Sequence, residues 1–463
     1  MNSEIDSAGK LEGAFKTAEK LSALNWVDLA VEVLTRAKGF AENEEQEAAV
    51  FSRLGEYHIK KGDYELAVIQ LENAMGRLLH RPDSLELFYV YRNIAWTFWR
   101  QGYLERADSY TEGAKAVIEK REQQQDNDTN KARACLFHLQ ALLAGARGDN
   151  KTAIENYRKE TEILELYNFT DKLGAVYGNL CGIYRTTGNY AQAIDYQVKS
   201  IEIAEKQGDL LTVGIGCNNL GEIYQNLGNS QKAELYFNRY LEINSRMDNS
   251  MGDSFALAGL ARLHAEWKDY TRAEALYRRA LVKATSVGSK VREAGIMANM
   301  AILYGIVGKA EQALKHVDQA IAIYEQTGRL PSQWHQIIRA KVWYQMADRE
   351  PERREDAFYL LEQTVSQPII TDDEQDLSSQ EIALEAYTLL VRIGLDKNDA
   401  SLAEEYLKKA RFFTDQLMQN IPAELQAGFL SKSLVKNVDE LEDKLKELLR
   451  QGPPTEGSIE VIS

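Results

Sequence analysis

The chain is poor in proline, cysteine and histidine, with seven, three and six among 463 residues. So few prolines leave long stretches in which a helix meets no obligatory break. The three cysteines (Cys135, Cys181, Cys217) are too few for a disulfide framework, and none stands in a CxxC, which points to a reducing compartment. No run of about 18 apolar residues exists, so no membrane span is expected. The first residues, MNSEIDSAGKLEG, show no basic segment followed by an apolar one, and the chain reads as soluble and cytoplasmic. Basic residues are outnumbered, 55 Lys plus Arg against 70 Asp plus Glu, for a formal charge of −15. A field of that sign repels a phosphate backbone and disfavours general nucleic-acid binding.

Catalytic signatures are missing as well. GxxxxGK, GxGxxG, HExxH and GxSxG are absent. The six histidines are dispersed, whereas zinc needs several converging ligands. Cys181 and Cys217 fall at helix-packing positions with no aligned histidine to act as base, and read as buried inert thiols. Acidic pairs such as Glu162–Glu165 read as solvated helix-face charge. No catalytic residue, metal or cofactor is assigned, and the chain is read as non-enzymatic.

What the sequence does contain is a repeat. Three segments superimpose: LGEYHIKKGDYELAVIQLENAM from Leu54, LCGIYRTTGNYAQAIDYQVKSI from Leu180, and LGEIYQNLGNSQKAELYFNRYL from Leu220. Each carries an early aromatic or His, then Gly-Asp/Asn, then Ala five residues after the Gly. The marker alanines are Ala67, Ala107, Ala153, Ala193, Ala233, Ala273 and Ala313, spaced 40, 46, 40, 40, 40 and 40. Twelve residues before the marker, small residues recur at Gly55, Ala95, Gly221, Ala261 and Ala301. Small residues at both places let two helix backbones approach closely. In the fifth unit one helix is read from Asn219 onward with Asn218 just ahead of it, Leu227-Gly228-Asn229 is the turn, and a second helix follows from Lys232. Neither helix can bury its apolar stripe alone, so neighbouring units must stack. His58 and His264 replace the early aromatic and read as packed imidazoles.

These residues resemble the tetratricopeptide repeat (TPR). Leu-Gly early, an aromatic three later, Gly at the turn (Gly62, Gly102, Gly148, Gly188, Gly228, Gly308) and a second alanine seven after the marker (Ala74, Ala114, Ala280, Ala320) match its pattern. Lys268 departs at the turn, and Glu160, Ser200 and Tyr240 depart at the last position, where looser or different packing is expected. The period exceeds the basic repeat of about 34 residues. It is similar to the long-repeat subclass of kinesin light chain, LGN-type polarity adaptors and bacterial signalling arrays. The resemblance implies an all-α, right-handed superhelical solenoid of about eight to nine helix pairs with a C-terminal capping helix. Along the chain this gives an N-terminal capping pair (1–45), a regular array of about seven repeats (46–330), degenerate repeats (331–420) with Ala357 and Ala403 as markers, a capping helix (421–450) and a disordered tail (451–463). The polar run Arg121–Asn130 is read as a loop insertion and Thr371–Asp376 as a solvated loop. In the eighth unit the charged run Arg349–Glu355 replaces the turn glycine.

Function is read from one register. Two residues before the small position stand Asn93, Asn179, Asn219 and Asn299, in four of seven units. Asn is a middling helix former, so its recurrence needs a reason. This register of the first helix is expected to face the concave groove, where an amide can pair with the backbone of an extended peptide. In the resembled long-repeat families, asparagines here grip ligand backbone; the alternative is that they bond neighbouring helices. Around them lie Arg92, Trp96, Trp99 and Arg100, then Arg185, then Asn218, Glu222, Gln225 and Asn226, then Arg262 and Glu266. Arg and Trp are enriched at interface hot spots, although the two tryptophans read equally well as core. The basic clamp of chaperone-binding relatives is not reproduced. The chain is therefore read as a scaffold, adaptor or regulator that binds a peptide segment or partner protein. The alternatives are a peptide-gated sensor or a subunit docking a separately encoded protease, kinase or CRISPR-type effector. The terminal SIEVIS reads as a plain tail or as a segment able to occupy such a groove.

Overall fold

A computed structural model describes residues 7–24, 26–124, 126–247, 252–326, 333–368 and 379–451. Thr371–Asp376 and the SIEVIS tail lie outside them. The described residues form helices and no strand, in two compact units, 1–176 and 177–463.

The first unit contains four hairpins: α1 (Ser7–Ala23) with α2 (Val27–Ala37), α3 (Glu44–Lys61) with α4 (Tyr64–Leu78), α5 (Leu85–Arg100) with α6 (Leu104–Lys120), and α7 (Asn127–Ala146) with α8 (Asn150–Leu166). The boundary falls inside α9 (Thr170–Thr186). The second unit continues through α10 (Tyr190–Gln207), α11 (Leu210–Asn226) with α12 (Ser230–Arg246), α13 (Asp253–Glu266) with α14 (Tyr270–Ser286), α15 (Lys290–Ile306) with α16 (Ala310–Gln326), α17 (Gln333–Met346) with α18 (Glu352–Val365), and α19 (Ser379–Asp396) with α20 (Ala400–Gln419). Two further helices, α21 (Ala423–Leu430) and α22 (Ser433–Gln451), follow.

The turns explain the Gly-Asp/Asn signature. Gly148, Gly188 and Gly228 take positive φ values of 77°, 71° and 71°, ending the first helix in the left-handed region. The residue after each, Asp149, Asn189 or Asn229, accepts an N–H three residues on and caps the second helix. Lys268 keeps this geometry with φ 64° despite its side chain, and Asp269 caps as usual. All seven marker alanines are fully buried, as are Ala357 and Ala403. A Cβ on Gly55 would lie 2.5 Å from Leu71, and one on Gly221 would lie 2.6 Å from the Phe237 ring. The departures at the last position are filled by other means: Glu160 is buried and meets His138 Nδ1 at 3.0 Å, and Ser200 and Tyr240 are buried too.

Three boundaries differ from the sequence reading. The first helix of the fifth unit starts at Leu210, because Gly208 ends α10 and Asp209 caps the next helix through Thr212. Asn218 and Asn219 therefore lie well inside α11. The polar insertion is only partly loop: Asp126 accepts from Thr129 and starts α7 at Asn127, so α7 has 20 residues where α11 has 17. Of Arg349–Glu355, the last four residues are the first turn of α18.

Within each unit the hairpins form two layers. First helices touch the first helices of the next hairpin, as in α3–α5, α5–α7, α11–α13 and α15–α17. Second helices pack on their own partner and on the following first helix. The first helices thus form the more closely connected, inner layer of each unit.

Candidate binding grooves

The inner layer of the first unit encloses a cleft of about 540 Å³ between α1, α3 and α5. Phe15, Gln46, Ser52, Arg53, Glu56 and Tyr89 are among the residues lining it. Arg53 lies over the Phe15 ring at 3.9 Å and donates through Nη1 to the Ala49 carbonyl at 3.3 Å. Glu56 Oε1 accepts from Asn93 Nδ2 at 3.2 Å, and Asn93 Oδ1 accepts from Arg92. The Arg92 guanidinium lies 5.5 Å from the Tyr89 ring, and its buried Nε–H has no acceptor. One turn on, Arg100 stacks on Trp96 at 5.4 Å, and the Trp96 and Trp99 rings stand 6.3 Å apart. Trp99 packs on the unit's core cluster. Arg92 and Trp96 are half-buried, Arg100 is exposed and Asn93 is buried. Tyr89, Arg92, Asn93, Trp96 and Arg100 recur every three or four residues, so they form one stripe of α5. The stripe offers aromatic faces, guanidinium donors and a carboxylate–amide pair, a set able to hold both the backbone and the side chains of another chain.

The other sequence-derived residues lie in the second unit. Asn179 on α9 and Asn219 on α11 are half-buried; Asn219 donates to Gln197 Oε1 at 2.9 Å. Arg185 is buried with Nη1 3.7 Å from Glu222 Oε2, and Asn218 Nδ2 donates to Glu222 Oε1 at 2.7 Å. Gln225 Oε1 accepts from Arg262 Nη2 at 2.7 Å, while Gln225 Nε2 reaches Glu266 at 3.4 Å. Burial holds the Glu266 carboxyl above its usual range, against the pull of Lys432 and Arg262. Asn299 donates to the Gly295 carbonyl one turn back at 3.2 Å. Arg185, Asn218 and Glu222 thus form one bonded polar group, and Gln225, Arg262 and Glu266 form another. An ion pair buried this deeply yields little net stability but is costly to break from one side.

Sequence reasoning missed Phe15, Gln46, Arg53, Glu56 and Tyr89. A signal for two of them existed. Arg53 stands two residues before Gly55, the asparagine register of the first unit, and Glu56 occupies the register of Trp96, Glu222 and Arg262. Elsewhere, burial pushes the Cys181 thiol up to about 12 and Cys217 up to about 11, far from thiolate reactivity at neutral pH. Among the described residues no cluster of His, Cys, Asp and Glu could hold a metal ion, and no helix is long and apolar enough to cross a membrane.

The family model for the tetratricopeptide repeat matches residues 172–246 and 215–285. With the helix hairpins, turn glycines and marker alanines in place, that match shows tetratricopeptide repeats over residues 172–285. The chain contains tetratricopeptide repeats. Among solved structures, this TPR chain is similar to a Signal Transduction ATPase with Numerous Domains protein with a tetratricopeptide repeat sensor from Pyrococcus horikoshii. The TM-score is 0.55 at 17% identity, over 79% of this chain and 54% of that one. The chain therefore spans about half the length of that protein. It is also similar to a Rap protein complexed with Competence and Sporulation Factor, with a TM-score of 0.54 at 13% identity, over 81% of this chain and the whole of the other. At such identities the likeness shows the fold. No curated protein sequence matches the chain.

Proposed function

We propose that this TPR protein is a non-enzymatic scaffold or regulator whose first unit holds a peptide segment or partner protein in the cleft between α1, α3 and α5. The observation carrying this reading is a set of three guanidinium groups, Arg53 on α3 and Arg92 and Arg100 on the α5 stripe, each lying against an aromatic ring, with Glu56 at the cleft wall bonded to Asn93. Guanidinium groups held on rings keep their N–H edges available to carbonyls and carboxylates of a bound chain. The long-repeat subclass, with asparagines at this register on ligand backbone, fits the placement of Asn93; Asn179, Asn219 and Asn299 would extend the same role to the second unit. Similarity to a TPR sensor and to a Rap protein in complex with a factor supports a second reading, a sensor that changes conformation on binding a peptide.

Affinity capture from native lysate tests the reading, comparing wild type with an Arg92→Ala/Asn93→Ala/Trp96→Ala variant checked for helicity by circular dichroism. A partner retained by wild type and lost by the variant supports binding along the α5 stripe beside the cleft. Identical captures remove that stripe from the interface.

A further inference from the structure

The end of the second unit returns to its beginning. Ser379 Oγ donates to the Thr186 carbonyl at 3.4 Å, and the fully buried Tyr190 hydroxyl donates to buried Glu381. The Ala191 N–H donates to the Asn420 carbonyl at 3.2 Å. A Cβ on Gly188 would meet the Gln380 amide at 2.9 Å. One hairpin further, the backbones of Gly228 and Gly428 cross so closely that neither position admits a Cβ; one on Gly428 would lie 2.8 Å from the Leu227 carbonyl. Beside this crossing, Lys432 Nζ donates to the Asn226 carbonyl at 2.9 Å. These contacts join residues roughly 190 to 230 positions apart in the chain.

The seam differs from the hairpin interfaces. Those are closed by alanines with no exposed surface, whereas the seam is joined by a few hydrogen bonds and leaves a void of about 470 Å³. Leu227, Asn229 and Trp267 line the void on one side, Glu424, Leu425 and Gly428 on the other. An interface joined by a few hydrogen bonds around a void opens at lower free energy than the helix pairs it joins. Asn226 sits beneath the seam, its amide 3.5 Å from the Tyr190 hydroxyl and its carbonyl under Lys432.

We propose that α19–α22 form a releasable clasp that closes the second unit on the turns after α9 and α11, so that access to the inner polar face around Asn226 depends on its opening. The clasp controls a surface separate from the first-unit cleft, so it stands or falls independently of partner binding there.

The test uses the full chain. Ala191 is the second residue of α10, and N–H groups in the first turn have no acceptor within their own helix. Protection of that amide therefore reports the Asn420 contact directly. Gly428→Ala favours helix in α21 while pushing it off Leu227, and Lys432→Met removes the bond to Asn226. In the double variant, hydrogen exchange at Ala191 should accelerate at least about tenfold. Maleimide labelling of an Asn226→Cys reporter should rise in parallel, with exchange in α3–α6 unchanged. Unchanged exchange and labelling would overturn the clasp. Acceleration spread through all helices of the second unit would overturn it too, because the contacts would then be part of the general core.

Discussion

Single residues at the turns carry a stability signature that can be measured. Lys268 is held at φ 64°, where its neighbours in the repeat use glycine. A side chain in this region costs about 1–3 kcal/mol, and glycine's extra freedom in the unfolded chain takes back about 0.5–1 kcal/mol. Lys268→Gly should therefore stabilise the protein by about 1 kcal/mol in urea denaturation; a loss of stability would show that the side chain does more than occupy the turn. The capping aspartates set the acid limit. Hydrogen bonds from the Thr212 hydroxyl and amide hold the Asp209 carboxyl below its usual range. The folded value lies below the unfolded one, so this stabilisation is full above about pH 4 and is lost as pH falls through the folded value. Asp209→Ala should cost about 1 kcal/mol at pH 7, whereas Asp209→Asn should keep most of the cap and flatten the acid dependence. The asparagine register was legible in the sequence. The partners of these residues were not: Asn93 meets Glu56, 37 positions away and on another helix, and nothing in a one-dimensional pattern fixes which amide finds which carboxylate.

At the scale of helices, close approach decides the cost of substitution. Gly221 and Gly259 both lie against the Phe237 ring, which is fully buried. Gly182, on the inner side of α9, has open space where a Cβ would go. Gly221→Val should destabilise by about 2 kcal/mol through overpacking, and Gly182→Ala should stabilise by about 0.5–1 kcal/mol through helix propensity. Thermal unfolding of the pair checks this, and equal effects would contradict the packing described. The hairpins were readable because the 40-residue period, the small residues and the Gly-Asp/Asn turns all encode local contacts. The start of α11 was missed because its signal, Gly208 followed by Asp209, lies between units rather than within the repeated turn. The contacts of α19–α22 with the turns after α9 and α11 were illegible for a related reason. They pair segments almost 200 residues apart, outside the period that made the rest visible.

For the whole molecule, the central claim is that another chain binds the inner face of the first unit. An acidic protein of formal charge −15 gains little long-range attraction for most proteins, so specificity must come from short-range contacts such as those of Arg53, Arg92 and Trp96. The most direct measurement places a photo-crosslinking residue at Ser52, which lines the cleft, and in a second protein at Leu66, exposed on α4. The account predicts that Ser52 captures a partner in native lysate and that Arg92→Ala/Asn93→Ala/Trp96→Ala abolishes the adduct, with no such adduct from Leu66. The same adduct formed at least as well from Leu66, or from Ser52 regardless of the three substitutions, would contradict it.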